Sequence, residues 1–78
     1  MLLTKEFIEV WNSLVRMGFS PTMIDYGTID VIVRSTSDDL DFIAAVGDYS
    51  PIYYSFDAEH NRRYYQIGRY DIRVTQMY

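Results

Sequence analysis

The 78-residue sequence contains no cysteine, which excludes disulfides, thiolate zinc sites and cysteine nucleophiles. It also has no apolar run long enough for a signal peptide or a membrane span, because Glu6 and Glu9 interrupt the N-terminal segment. There is no internal repeat, low-complexity tract or linker. We therefore expect a single domain over residues 1–78, located in the cytoplasm and not in a membrane.

Recognisable catalytic motifs are missing as well. No serine lies in a nucleophile elbow, and no glycine-rich loop is available to hold a phosphate. His60 is the only histidine, and its polar surroundings are typical of a solvated turn residue. The alternative is a base or ligand that acts with Glu59 or Asp57. We expect a protein that is not an enzyme and that binds neither a cofactor nor a metal.

The sequence does have a globular composition with a segregated charge. Hydrophobic residues make up 49% and charged residues 23% of the chain, which is typical of a folded domain. The net charge is −4. Residues 1–60 carry ten acids against three basic residues, and residues 61–78 carry four arginines against one acid, so the two parts sum to −7 and +3. Such segregation concerns partners and association rather than fold.

A first helix is predicted over residues 5–17. Thr4 is a suitable N-cap, and Glu6 lies in the first turn, where the helix dipole favours an acid. Gly18 can adopt the left-handed conformation that ends many helices, and Pro21 prevents continuation.

Residues 22–33 predict a β-hairpin. Gly27 fits the first position of a two-residue type II′ turn that it forms with Thr28. In that register three pairs share one face, as burial on one side of a sheet requires: Tyr26 with Ile29, Ile24 with Val31, and Thr22 with Val33.

Residues 38–46 predict a short second helix, with an extended segment as the alternative. Thr36 or Ser37 would cap this helix, and Gly47 would end it. The pattern predicts a buried stripe made of Leu40, Ile43, Ala44 and Val46.

The remaining residues predict three strands, at residues 52–57, Tyr65–Ile67 and Tyr70–Val74. Gly68-Arg69 fits a two-residue turn, with a bulge in one long strand as the alternative. The turn pairs Ile67 with Tyr70 and Tyr65 with Ile72 on one face, and Gln66 with Asp71 and Tyr64 with Arg73 on the other. The element order is then α-β-β-α-β-β-β. Hairpin turns make the sheet mostly antiparallel, and two helices on one face give a small two-layer α+β sandwich.

Eight tyrosines are unusual in a chain of this length. Strand alternation predicts that Tyr26, Tyr54, Tyr65 and Tyr70 face the core. It places Tyr53 and Tyr64 on the opposite, open face with Arg73. Tyrosine and arginine are enriched in binding hot spots, so we expect a partner-binding patch made of Tyr53, Tyr64, Arg69 and Arg73. The alternative is that Tyr64 and Arg73 form an ordinary cross-strand pair without a partner.

A cluster of acids begins the second helix and consists of Asp38, Asp39 and Asp41. The helix dipole explains acids at this position, whereas a metal site would need converging ligands from elsewhere. We expect these acids to form a second partner-binding patch, because an acidic surface attracts a basic protein.

Taken together, these features predict a non-enzymatic protein–protein interaction module, a small acidic regulator or inhibitor of a basic or nucleic-acid-handling protein. Small acidic inhibitors encoded by phages and toxin immunity proteins are similar in size and charge. The alternative function is binding of single-stranded nucleic acid, with the C-terminal arginines on phosphates and tyrosines stacked on bases. Self-association is compatible with the first function and would stabilise a small chain.

Overall fold

The computed structural model describes residues 4–25 and 27–78. Its helices are α1 (Lys5–Arg16) and α2 (Thr36–Val46), the latter followed by a 3₁₀ turn at Gly47–Tyr49. The strands are β1 (Thr22–Asp25), β2 (Thr28–Val33), β3 (Ile52–Asp57), β4 (Arg62–Ile67) and β5 (Tyr70–Gln76). The predicted element order and the α+β class are confirmed.

Helix α1 begins and ends where local signals predict. The Thr4 side chain accepts a hydrogen bond from the backbone N–H of Phe7 at 3.1 Å, which is the N-cap arrangement. Gly18 has a φ of +95°, in the left-handed region that glycine enters without a Cβ clash. The N–H of Phe19 then donates to the carbonyl of Leu14 at 3.1 Å and closes the end of the helix.

The five strands form one sheet in the order β1-β2-β5-β4-β3. Three of the four pairings are antiparallel, and β2 pairs with β5 in parallel at its centre. The two-residue turn at Gly68-Arg69 is confirmed, and so are the predicted pairs of Ile67 with Tyr70 and Tyr65 with Ile72. Both helices pack on the face to which Tyr70 and Tyr65 point, since Phe7 contacts the Tyr70 ring and Phe42 contacts the Tyr65 ring.

The predicted register of the first hairpin is wrong. Thr22 lies opposite Asp30, not Val33, and the pairing is irregular between Met23 and Asp25. All four residues of β1 are exposed, so burial does not fix which β2 residue each one faces. The expected pair of Tyr26 with Ile29 lies outside the described residues.

The second helix is real, but its buried side differs from the prediction. Ser35, rather than Thr36 or Ser37, is the N-cap, and its hydroxyl accepts from the N–H of Asp38 at 3.0 Å. The residues that α2 buries are Phe42, Ala45 and Val46. Of the expected stripe only Val46 is buried, and Leu40, Ile43 and Ala44 point outwards. Phe42 determines this orientation because it is the largest apolar side chain of the helix and inserts beside Tyr65.

Candidate interaction surface

Strand β3 forms one edge of the sheet, and within residues 4–25 and 27–78 it pairs only with β4. Five of its six residues are exposed, and four of these are large and apolar or aromatic: Ile52, Tyr53, Tyr54 and Phe56. A soluble protein rarely leaves an apolar edge strand in this state, because its unpaired backbone and side chains are a template for another chain.

An irregularity in the pairing of β3 with β4 decides which way its side chains point. Tyr53 lies opposite Tyr65, and Phe56 lies opposite Arg63, so both belong to the face that carries the helices. The register shifts between Tyr53 and Ser55, as in a β-bulge. Without this shift, Tyr53 and Phe56 would lie on opposite faces, because side chains alternate along a regular strand.

The shift corrects two of the tyrosine predictions. Tyr53 lies on the helix side, where its ring is 5.7 Å from that of Tyr65, and not on the open face. Tyr54 is exposed rather than in the core, with its ring 6.3 Å from Tyr64. Burial and a hydrogen bond with Asp71 raise the pKa of the Tyr54 hydroxyl. Tyr65 and Tyr70 pack in or against the core as predicted.

Helix α2 extends the exposed apolar area beside β3. Ile43 follows Asp39 by one helical turn, and Asp39 pairs with Arg63 of β4, the neighbour of β3, so Ile43 lies on the same side of the helix as this ion pair. Leu40 precedes Ile43 by three positions and is its neighbour on the helix surface. We use the name β3 surface for six residues whose exposures lie between 49% and 65%: Leu40, Ile43, Tyr53 and Phe56 on the helix side of the sheet, and Ile52 and Tyr54 on the open side.

The β3 surface extends over both faces of the sheet at this edge. Taking about 200 Å² for each large side chain when fully exposed, the observed fractions correspond to roughly 700 Å² over the two faces together, of which roughly 450 Å² lies on the helix side. The largest apolar patch of a typical soluble monomer covers about 300–600 Å². The helix-side part of the β3 surface falls within this range, and the largest apolar patch of a monomer is often functional.

The predicted tyrosine and arginine patch does not form a single surface. Tyr64 and Arg73 do lie side by side on the open face, as their cross-strand register predicts. Arg73, however, donates from Nε to Asp30 at 2.7 Å, and this hydrogen bond is the main reason that the pKa of Arg73 is raised. Arg69 is exposed in the turn between β4 and β5, and Tyr53 is on the other face of the sheet.

Two of the three acids in the predicted acidic patch bond to other groups of the same chain. Asp38 accepts from the backbone N–H of Arg34 at 2.8 Å. Asp39 pairs with Arg63 and accepts from the Tyr78 hydroxyl at 2.5 Å, which raises the pKa of Tyr78. Asp41 is half-buried. Because Asp39 is neutralised by a partner of its own chain, the cluster presents less negative charge than its sequence suggests.

His60 lies in the turn between β3 and β4 beside two acids. Asp57, Glu59 and His60 each place one potential ligand atom within 4.8 Å of the others. Asp57 accepts from the backbone N–H groups of Glu59 and His60, and its carboxylate lies 2.7 Å from Nδ1 of His60. The contact with His60 lowers the pKa of Asp57. These hydrogen bonds within the turn explain why the three side chains lie close together.

A small apolar groove of about 210 Å³ lies between α1 and β1. It is lined by Phe7, Ile8, Trp11 and Met23. Its volume is below the range of about 300–1,000 Å³ that is typical of small-molecule sites. The groove has the size of a single large side chain rather than of a ligand.

Comparison with known proteins does not assign the chain to a family. No family model matches the chain, no curated protein matches it, and no solved structure matches its fold. Neither of the helices in the described part of the chain combines the length and apolarity that a membrane crossing requires. The architecture is a two-layer α+β fold in which the edge strand β3 carries exposed apolar and aromatic side chains.

Proposed function

We propose that this protein is a non-enzymatic protein–protein interaction module, a small acidic regulator or inhibitor of another protein. The observation that carries the proposal is the β3 surface, which combines an open strand edge with exposed apolar side chains on both faces beside it, roughly 700 Å² in total. Aromatic side chains of this kind bring large contact area at little entropic cost, and they are typical binding hot spots.

The net charge supports a basic partner, such as a protein that handles nucleic acid. A chain with a charge of −4 and a pI of about 4.6 attracts a positively charged protein at long range and accelerates encounter. The apolar β3 surface would then supply the short-range contact. We place this interaction in the cytoplasm, with which the cysteine-free sequence is compatible.

Binding of single-stranded nucleic acid is the second candidate, because the Tyr54 and Tyr64 rings lie together on the open face. Its electrostatics are less favourable. Arg73 is paired with Asp30 on that same face, and Asp71 lies beside Tyr54. A phosphate backbone would meet these carboxylates rather than a basic groove.

Affinity capture from source-cell lysate, with and without nuclease, separates the two functions. The variant Tyr53→Asp with Phe56→Asp places charges in the β3 surface. Val15→Asp is the matched control, since Val15 is half-exposed on α1, away from β3. We expect the wild type and the control to retain the same protein after nuclease, and the double variant to lose it.

Equal recovery of that protein by all three forms would remove the β3 surface from the proposal. Recovery of RNA or DNA, with protein partners lost after nuclease, would favour the second candidate. Circular dichroism of each variant confirms that a loss of binding is not a loss of folding.

A further inference from the structure

The backbone of β3 has one row of hydrogen-bonding groups that none of the five described strands uses. Strand β3 is the last in the sheet, and β4 occupies only one of its two sides. We propose that, when no other partner is bound, β3 pairs in antiparallel fashion with β3 of a second copy, so that two five-stranded sheets form one continuous sheet. The inference rests on the proposed function in that it uses the same β3 surface.

The composition of the strand favours a second copy as the occupant. Residues 49–56 contain no charged side chain, so the central part of the edge does not repel its own copy. A standard protein–protein interface buries about 800 Å² on each partner. The exposed apolar side chains of the β3 surface amount to roughly 700 Å² over the two faces, so partial burial of these side chains together with the paired backbone can approach that size. An antiparallel pair of identical strands has a two-fold axis and closes at two copies, which prevents growth into a fibre.

The bulge fixes the register of the pair. Residues that face each other across two strands must lie on the same side of the sheet. Tyr53 and Phe56 are on the helix side, whereas Ile52 and Asp57 are on the other side, since they pair with Gln66 and Arg62 of β4. The centred antiparallel register that places Tyr53 opposite Phe56 of the second copy also places Ile52 opposite its Asp57. The two residues of every pair then lie on the same face of the joined sheet, and the two Asp57 carboxylates are not opposite each other.

The two α2 helices would lie on the same side of the joined sheet. Each lies above β4 of its own copy, because Phe42 and Asp39 contact Tyr65 and Arg63. Two β4 strands separated by two β3 strands are about 14 Å apart, at 4.7–4.9 Å for each of three spacings. Helices in direct contact are 8–10 Å apart. The extra width accommodates the side chains that the β3 surface places there, namely Tyr53, Phe56, Ile43 and Leu40.

Charge-paired variants test this register in purified protein. One variant carries Tyr53→Glu with Phe56→Glu, and the other carries Tyr53→Lys with Phe56→Lys. In the proposed register each variant opposes like charges twice, so we expect both to have the 9.2 kDa mass of a single chain in light scattering or sedimentation. Wild type is expected at twice that mass, and an equal mixture of the two variants is expected to form the mixed pair at twice that mass.

The matched control is Val15→Glu with Met17→Glu at the C-terminal end of α1, which should keep the wild-type mass. A second readout is amide hydrogen exchange, in which β3 amides should become more protected as protein concentration rises and the amides of β1, the other edge, should not. Wild type that stays at 9.2 kDa at its highest soluble concentration would overturn the proposal. So would charged variants that remain paired on their own, or a mixture that remains at single-chain mass.

The outcomes for pairing and for the proposed function are distinguishable. Pairing is measured on purified protein by mass, and the function is measured by capture of a different protein. A single-chain wild type that still loses its partner on substitution at Tyr53 and Phe56 would sink the self-pairing and leave the function standing. A paired wild type whose captured partner is unaffected by those substitutions would support the self-pairing and remove the β3 surface from the proposed function.

Discussion

Replacement of Asp39 by asparagine should weaken folding, because the carboxylate belongs to an internal contact and not to a free acidic patch. Asp39 pairs with Arg63, and their side chains are 14% and 22% exposed. It also accepts a hydrogen bond from the hydroxyl of Tyr78. Asp39→Asn keeps the shape of the side chain and removes its charge, so Arg63 loses its counter-ion in a site that water reaches poorly.

The magnitude follows from the burial of the pair. An exposed ion pair contributes about 0–1 kcal/mol, whereas removal of one partner from a fully buried pair costs about 3–5 kcal/mol. The Asp39–Arg63 pair lies between these limits, and we expect a loss of about 2 kcal/mol in the free energy of unfolding. For a domain of this size, that corresponds to a decrease in Tm of roughly 10 °C.

Thermal and urea unfolding of a double-mutant cycle measure this contribution. Arg63→Met keeps the apolar stem and removes the charge, and it should be less harmful in the Asp39→Asn background than alone. Asp41→Asn is the matched control on the same helix, since no ion pair or side-chain hydrogen bond joins Asp41 to another residue of the described ranges. If Asp39→Asn unfolded like the wild type, the carboxylate would be solvated, as the sequence alone suggests, and the reasoning from burial would be refuted.

Three further predictions concern the core and the titrating groups. Phe42→Ala should lower the free energy of unfolding by about 3–5 kcal/mol, since Phe42 is fully buried against Tyr65 and holds α2 on the sheet. A midpoint of urea unfolding close to that of the wild type would contradict this loss of stability. Burial and the charge of Glu6 raise the pKa of Tyr70 from 10.0 to about 12. Ultraviolet titration should therefore show a late-ionising tyrosine that disappears in Tyr70→Phe, and stability should fall as pH rises above 10.0, because Tyr70 loses its proton at lower pH in the unfolded chain than in the folded one. The hydrogen bond from His60 lowers the pKa of Asp57 in the folded protein below 3.8. The ionised Asp57 should therefore stabilise the fold fully above pH 3.8, and this stabilisation should be lost as pH falls through the lower pKa of the folded state. An Asp57→Asn variant with the same acid unfolding profile as wild type would refute this contribution of Asp57 to stability.

The parts of the fold that depend on local chemistry could be predicted from the sequence. Thr4 and Gly18 set the two ends of α1, because a capping hydroxyl and a left-handed glycine act within a few residues. Gly68, with a φ of +59°, forms the turn that fixes the register between β4 and β5. The pairs that follow from that turn are therefore correct along both strands.

The rest depends on contacts between distant residues. The parallel pairing of β2 with β5 joins residues 28–33 to residues 71–76, and no short motif encodes it. The irregularity between Tyr53 and Ser55 changes which residues share a face, so simple alternation placed Tyr53 and Tyr54 on the wrong sides. The one available signal was that no charge interrupts residues 49–56, which is unusual for an exposed edge.

The exposure of β3 follows from the number of elements rather than from the packing of any one side chain. Strands in a sheet are 4.7–4.9 Å apart, so five of them present a surface about 24 Å wide. Two packed helices at a spacing of 8–10 Å cover about 20 Å at most. Helix α1 lies towards β1 and β5, since Phe7 lines a groove together with Met23 and its ring packs against that of Tyr70. Helix α2 lies on β4, so the uncovered width falls on β3. The apolar side chains of β3 consequently gain little burial within one chain. The hydrophobic free energy that they can still release is available to a second chain, and the open backbone edge beside them gives that chain a defined geometry in which to bind.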